Sequence, residues 1–459
     1  METAQAIAPP SPSAIEGFGI EPIPEALKTV RWPDLFVLVS NFLVNPGTIL
    51  IGGLAVASGL SFWATILTST LGILIAFSAY IVMATVGVDY GITGQVACRM
   101  VFGIRGAKWL PSIMRTIASA YWFAMQTIVG ATVFVAIAHQ WTGGQYSVVR
   151  TGLVLAGVQV ALALVGYHWL KRISRFSLPI KVAGIVYLFW ILDHGPGASY
   201  RLTAVLHFHA HTGWAYLVAA VWLNSMTAAW LTMITDAADF CRYTRSRQDM
   251  WWGTMLAGGL ATALSVSLGA YGAAASLGRQ PNPFSLAATV DPHWATMVVL
   301  LVVIALDEST INVMNLYTGG LSLSNMFEGP GRFWNTLLVG VVSTGLSALP
   351  VLLDRLVPLT TALGNLFAPV AGVLLSHYLF VERMRIDVAA LFDPKGIYRY
   401  WHGVNVIAVL WCLLGGGVYY LLPTAALPAI VVPLITGAGY LLTVRLHGDR
   451  SEASESALN

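Results

Sequence analysis

The sequence predicts an all-helical membrane protein with twelve transmembrane helices. Of its 459 residues, 57% are hydrophobic and only 10% are charged, whereas soluble domains carry about 25% charged residues. Segments such as 62–87, 251–275 and 403–422 are apolar over lengths that can cross about 30 Å of hydrocarbon as helices. These segments also lack the polar stripe of a soluble surface helix. Composition therefore excludes a soluble globular protein, and the net charge of +3 gives no reason to expect nucleic acid as a partner.

Hydropathy places the twelve spans at 34–58, 62–87, 109–138, 148–168, 176–194, 213–241, 251–275, 293–318, 332–350, 356–381, 403–422 and 426–446. Lys and Arg concentrate in the links that follow even-numbered spans, and the opposite links hold only Arg150, Arg201, Arg279 and Arg355. Positive residues in loops stay on the cytoplasmic side of a membrane. We therefore expect the protein in the inner (plasma) membrane with both termini in the cytoplasm.

The first span contains a helix-breaking sequence. Asn45, Pro46 and Gly47 follow each other in the middle of the apolar stretch, and Pro46 cannot donate a backbone hydrogen bond. Such an interruption is costly inside a membrane unless it lines a site, so we expect a broken helix with freed carbonyls near 42–45. A simple proline kink is the alternative.

The sixth span resembles the first in having polar residues at mid-membrane. Asn224, Ser225 and Thr227 lie there, and Asp236 and Asp239 follow. Interrupted spans five helices apart are typical of two inverted five-helix repeats with the substrate at the breaks. We therefore predict a first repeat at 31–200, a second at 201–381 and two extra helices at 382–446, flanked by disordered segments at 1–30 and 447–459.

Two spans carry candidate binding residues. In the third, Trp122 and Gln126 are four residues apart and share a helical face; an aromatic ring and an amide suit a flat heterocycle. In the eighth, Ser309, Asn312 and Asn315 lie close to one face. Hydrogen bonding between packed membrane helices is the alternative explanation for both sets.

The eighth span also holds candidate ion-binding groups. The hydroxyls of Ser309 and Thr310 can complete a hard-cation site beside the carbonyls freed in the first span. Asp307 and Glu308 precede them. Carboxylates at this depth either join the cation site, carry a proton, or lie in a water-filled vestibule, and the sequence leaves these three roles open.

Five motifs in the expected order, within residues 30–445, resemble the nucleobase–cation symporters of family one, the purine, cytosine, allantoin and hydantoin permeases. They are the glycine-rich loop from Asp89 to Gly106, 122–127 of the third span, 239–243 at the end of the sixth, 315–318 of the eighth, and 403–405. The resemblance implies the leucine-transporter-type 5+5 inverted repeat plus two extra helices.

The resemblance also implies roles for particular residues. Trp122 and Trp230 would stack on the substrate, and Gln126 and Asn315 would bind its edge. Asn45 and Asn312 are further candidate substrate contacts. A sodium site would use the hydroxyls of Ser309 and Thr310 with three backbone carbonyls, those of Phe42, Asn45 and Leu306.

The function expected from these observations is secondary active import of a nucleobase or related heterocycle of cytosine or purine type. The coupling ion is Na⁺ or H⁺, no other cofactor is expected, and we expect a monomer in the lipid bilayer. An enzyme is disfavoured because no nucleophile–base pair or metal cluster is evident at membrane depth. Other cargoes on the same fold remain open, namely hydroxymethylpyrimidine, thiamine, allantoin, hydantoin or an amino acid, and a channel is a further alternative.

Overall fold

The chain is almost entirely helical in the computed structural model, which describes residues 19–164, 167–209 and 216–456, without the side chains of 167–172, 174 and 447–456. Within these ranges the α-helices are, in chain order, α1 (Trp32–Leu43), α2 (Pro46–Ala57), α3 (Phe62–Tyr90), α4 (Gly94–Trp109), α5 (Pro111–Thr142), α6 (Val148–Ala163), α7 (Tyr167–Asp193), α8 (Leu202–Leu206), α9 (Tyr216–Leu231), α10 (Ala237–Cys241), α11 (Arg247–Ala275), α12 (Pro283–Val290), α13 (Trp294–Met326), α14 (Gly331–Leu346), α15 (Val351–Asp354), α16 (Leu356–Ser376), α17 (Val406–Leu421) and α18 (Pro428–Ser456).

The long helices confirm an all-helical, multi-pass membrane protein. Eight helices in the described ranges are long and apolar enough to cross a bilayer, and the pair α1–α2, bent by 54°, makes a ninth. The other three predicted spans, at 148–168, 332–350 and 403–422, correspond to α6, α14 and α17, which have 16 residues each. The count of twelve spans therefore stays a prediction, because three helices are short for a full crossing.

Eight of the predicted spans pack as two bundles. The first bundle contains α1–α2, α3, α9–α10 and α11, and the second bundle contains α5, α6, α13 and α14. Each predicted repeat contributes two spans to each bundle, so the bundles are formed by mixing the repeats. Helix α7 contacts both α1 and α13, and α16 contacts both α9 and α5. These two helices therefore join the bundles.

Helix α4 includes most of the segment from Asp89 to Gly106 that the sequence suggested was a glycine-rich loop. Its residue Gly103 has a φ of 78°, a left-handed conformation that favours glycine. A Cβ at this position would lie 2.4 Å from the carbonyl oxygen of Gly403. The same carbonyl accepts hydrogen bonds from the backbone N–H groups of Arg105 and Gly106. The first and last motifs of the sequence are therefore in direct contact, between α4 and the link before α17.

Parts of both predicted disordered segments lie within the described residues. The backbone N–H of Ile23 donates to Gly91, and Val30 donates to Tyr243, so residues 19–30 are anchored against the ends of α3 and α10. Apolar side chains explain this, because Ile23 and Val30 are both 3% exposed. At the other end α18 continues past residue 446 to Ser456. Residues 1–18 and 457–459 of the predicted disordered segments lie outside the described residues.

Candidate functional site

The break between α1 and α2 is an interruption of the helix and not a kink. Val44 and Asn45 leave the helical region, with φ/ψ of −81°/84° and −141°/158°. The side chain of Asn45 caps α2 by accepting from the N–H of Thr48 at 2.8 Å, and its Nδ2 donates to the carbonyl of Phe42 at 2.6 Å. One side chain therefore satisfies both sides of the break, as a buried interruption requires.

A second break separates α9 from α10. After Leu231 the chain forms a 3₁₀ turn over Thr232–Thr235, and Asp236 follows with φ/ψ of −128°/9°. Side chains of two neighbouring helices donate hydrogen bonds to the carbonyls of this turn. Arg115 of α5 donates to Thr232 at 3.1 Å, and Gln95 of α4 donates to Thr235 at 3.0 Å. The predicted interruption of the sixth span is therefore present, a few residues beyond the polar cluster that suggested it.

A cavity lies between the two breaks, with walls from α1–α2, α5, α9–α10 and α13. Five of the six predicted substrate residues line it, namely Asn45, Trp122, Gln126, Trp230 and Asn315. Residues from four separate helices thus meet at one place between the two bundles, where transporters with inverted repeats bind their substrates.

The two tryptophans of the cavity are supported by other aromatic rings. Trp230 lies 5.9 Å from Phe42 and 6.0 Å from Phe77, measured between ring centroids. Trp122 lies 5.0 Å from Tyr121. Trp122 and Trp230 are each only half-buried, so part of each ring is available to stack on a planar ligand.

The amides of the cavity have unused hydrogen-bonding capacity. Gln126 accepts from the N–H of Gly47 at 3.0 Å and donates to Asn45 Oδ1 at 2.9 Å. A Gln amide has two N–H donors and two lone pairs on its oxygen, so one donor and one lone pair remain. Asn315 lines the cavity and donates to Asn312 Oδ1 at 3.3 Å, and its own side-chain oxygen has no hydrogen-bond partner among the described residues. A ligand with adjacent donor and acceptor groups fits this pattern.

Asn312, the sixth predicted substrate residue, is placed elsewhere. It does not line the cavity but donates to Thr127 and Gln159 at 2.9 and 2.8 Å and to Glu308 at 3.2 Å. Gln159 in turn donates to Glu308 at 2.9 Å. Three residues along a helix turn the side chain by about 300°, so Asn312 and Asn315 point about 60° apart around α13. This angle is enough to place Asn315 at the cavity and Asn312 inside the second bundle.

The predicted cation-site groups are only partly together. Thr310 Oγ1 faces the break but donates to the carbonyls of Leu306 and Asp307, and Ser309 donates to Ala305 within its own helix. The Phe42 carbonyl accepts from Asn45 Nδ2, and the Asn45 carbonyl accepts from the N–H of Ile49 in α2. The carbonyls one position earlier, at 41 and 44, instead accept hydrogen bonds from a side chain of α7.

The donor to these two carbonyls is Lys181 of α7, which the sequence analysis did not single out. Its ammonium donates to the carbonyls of Asn41 and Val44 at 2.9 and 3.0 Å and pairs with Asp307 Oδ1 at 2.6 Å. Both charged side chains are 0% exposed. The signal was present in the sequence, because a lysine inside a predicted span is as unusual as the two carboxylates that were noticed.

A second buried ion pair was also missed. Arg115 Nε lies 3.4 Å from Asp236 Oδ2, with side-chain exposures of 3% and 1%, and both residues line the cavity. Arg115 also donates to Ser119, which lies 3.2 Å from the Thr318 hydroxyl. This network lies at the end of the cavity nearest the start of α5. Arg115 lies inside the predicted third span, but the sequence analysis did not single it out.

Comparison with known proteins agrees with this geometry. A family model described as "Permease for cytosine/purines, uracil, thiamine, allantoin" matches residues 22–442. The chain belongs to this family. Its members are permeases, so the chain is an integral membrane transporter, and an enzymatic role has no support at the level of the family.

Two curated relatives and one solved structure show the range of the family. The chain is 25% identical to an allantoin permease of Bacillus subtilis over 88% of either chain, and 27% identical to a hydantoin permease of Microbacterium maritypicum over 80% of this chain and 76% of the relative. It superposes with a TM-score of 0.80 on Mhp1, a nucleobase-cation-symport-1 family transporter, in a closed conformation with bromovinylhydantoin bound, at 21% identity over 94% and 96% of the two chains. The fold of this permease is thus that of a nucleobase–cation symporter.

Proposed function

We propose that this permease imports a nucleobase or related heterocycle by cation symport across the plasma membrane, with both termini in the cytoplasm. The observation that carries the proposal is the cavity between the two broken helices, in which Trp122 and Trp230 expose ring faces and Gln126 and Asn315 keep free amide groups. The names of the relatives support a small heterocyclic cargo, because they are an allantoin permease and a hydantoin permease.

The two kinds of wall group have different roles in this proposal. The rings of Trp122 and Trp230 contribute stacking, which any flat heterocycle satisfies. The amides of Gln126 and Asn315 contribute selectivity, since a buried amide left without a partner costs roughly 1–3 kcal/mol. Because Gln126 also binds Gly47 and Asn45 at the start of α2, a substrate bound to it contacts the element that is expected to move in alternating access.

An amino acid is a poorer cargo for this cavity. Its carboxylate needs a cation or a free helix N-terminus, but Arg115 is already paired with Asp236. The N–H of Gly47 is used by Gln126, and that of Thr48 is used by Asn45. A neutral ring with amide edges needs neither a cation nor a free helix N-terminus.

Uptake by proteoliposomes tests the proposal. Radiolabelled cytosine, adenine, hypoxanthine, uracil, allantoin and hydantoin are offered with and without Na⁺ and with an imposed proton gradient. We expect saturable, gradient-dependent uptake of at least one of them, which a channel would not show. In folded protein, no uptake of any of these compounds would refute the heterocycle assignment and leave the other cargoes of the fold.

A single variant tests the placement of the substrate. Gln126→Ala removes an amide from the cavity wall, so uptake at low substrate concentration should fall about tenfold, the loss of one hydrogen bond of roughly 1.4 kcal/mol. Gln140→Ala is the matched control, because Gln140 lies in the same helix and is exposed. Equal uptake by the two variants would show that the substrate binds elsewhere.

A further inference from the structure

The side chain of Lys181 reaches from α7 to the broken helix and to α13 at once. Its Nζ lies within 3.0 Å of the carbonyl oxygens of Asn41 and Val44 in the first bundle. On the side of the second bundle it lies 2.6 Å from Asp307 Oδ1 and 3.4 Å from Thr310 Oγ1. The ammonium therefore has a shell of two carbonyls, one carboxylate and one hydroxyl.

This shell is made of the oxygen ligands that a small hard cation prefers. Its groups come from both sides of the boundary between the bundles, so any cation held there connects the two bodies whose relative position must change in transport. The family resemblance places a sodium site at the same two elements, on Thr310 and on the carbonyls of the first break. In this chain the centre of the shell is already filled by a positive charge.

We propose that Lys181 is a tethered cation that replaces a metal ion at this position, so that the transporter binds no Na⁺ between α1 and α13. The proposal refines the symport proposed above, on which its relevance to transport depends. A second cation a few ångströms from the ammonium would be repelled strongly in a low-dielectric interior. Because the ammonium is bound covalently to α7, it cannot leave to make room.

The surroundings of Lys181 fit a permanent occupant. A buried lysine is costly in a membrane protein unless it is paired, and Asp307 supplies the opposite charge. The neighbouring residue Ser177, one turn earlier on α7, donates to Asn41 Oδ1 at 2.6 Å. Two residues of α7 thus hold the end of α1, and the lysine is one part of a built contact.

Thermal unfolding of the full-length purified protein tests the proposal without any substrate. Wild-type protein is compared in NaCl and in choline chloride at the same ionic strength, and its unfolding midpoint should show no saturable response to Na⁺. Lys181→Ala keeps Asp307, Thr310 and both carbonyls but removes the ammonium. Its midpoint should be lower in choline and should rise with Na⁺ to a plateau. Lys181→Ala/Asp307→Ala should lose that response.

Each outcome decides the matter. Saturable stabilisation of wild-type protein by Na⁺, or the same response in wild type and Lys181→Ala, would overturn the proposal. Should Lys181→Ala fail to fold, the comparison of wild-type protein in NaCl and in choline chloride decides. Because the measurement uses no cargo, a failure of every heterocycle in the uptake experiment would refute the proposed function and leave the sodium result intact.

Discussion

Both broken helices leave backbone carbonyls without a helical hydrogen-bond donor, and the two breaks satisfy these carbonyls differently. At each break, freed carbonyls accept hydrogen bonds from a buried cation, which is Lys181 between α1 and α2 and Arg115 between α9 and α10. Lys181 pairs with Asp307 on a helix of the other bundle, whereas Arg115 pairs with Asp236 within the break itself. Of these four charged residues, Arg115 and Asp236 line the cavity, and Lys181 and Asp307 do not.

The difference separates two functions of a broken helix. The Lys181–Asp307 pair is sealed from the cavity, so it affects how α1 is held against α13. The Arg115–Asp236 pair meets whatever occupies the cavity, so it affects binding and closure at that end. Three sets of substitutions test this division, from the largest expected effect to the smallest.

The largest effect is expected on stability at the sealed pair. Lys181→Met leaves Asp307 buried without a countercharge, and breaking a buried ion pair costs about 3–5 kcal/mol. Lys181→Met/Asp307→Asn removes both charges and should recover most of that loss. Thermal unfolding in sodium-free buffer measures both variants. Equal destabilisation of the single and double variants would show that packing, and not charge pairing, is the main contribution of Lys181.

An intermediate effect is expected at the pair in the cavity wall. Arg115→Met removes hydrogen bonds from a charged group to Thr232 and Ser119, each worth about 1.5–3 kcal/mol. It also leaves Asp236 unpaired in the cavity wall, where water that enters the cavity can offset part of the cost of breaking a buried ion pair. Ligand affinity should therefore change along with stability, whereas Lys181→Met/Asp307→Asn should change affinity less. Equilibrium binding of a transported ligand to the purified variants makes the comparison. Unchanged affinity in Arg115→Met would remove this pair from the binding site.

The smallest effect is expected for Asn312. Asn312→Ala disturbs the hydrogen bonds around Glu308 but no cavity wall, so stability should fall by about 1 kcal/mol while ligand affinity stays within about twofold. Asn315→Ala, three residues away in α13, should lower affinity about tenfold. Side-by-side binding isotherms of the two variants check this. A greater loss of affinity in Asn312→Ala would mean that α13 rotates when substrate binds.

Much of this organisation could be read from the sequence, because membrane helices and their breaks have strong signals. The Pro46–Gly47 pair located the first break, and the four-residue spacing placed Trp122 and Gln126 on one helix face, from which both line the cavity. The motifs also predicted the family correctly. Hydropathy fixed the long helices but not the status of the 16-residue ones.

The errors have a common physical cause. Asn312 and Asn315 look equivalent in sequence, and only tertiary packing directs one toward Gln159 and the other toward the cavity. The carbonyls at 41 and 44 accept from Lys181, whereas those at 42 and 45 accept from the side chain of Asn45 and from α2, because the exact register of a break depends on its side-chain cap, here Asn45. Lys181 and Arg115 lie inside predicted spans but were not singled out, because their acidic partners are distant in sequence and only tertiary packing brings them together.

The fixed ammonium of Lys181 has an electrical consequence. A sodium ion that enters with its cargo carries one charge through the membrane field, which is worth about 2.3 kcal/mol per 100 mV. The Lys181–Asp307 pair has no net charge and remains inside the protein, so it gains nothing from that field. This position would then contribute no sodium current to the transport of a neutral heterocycle, and voltage-clamp recording of loaded membranes would show only the charge of ions bound elsewhere.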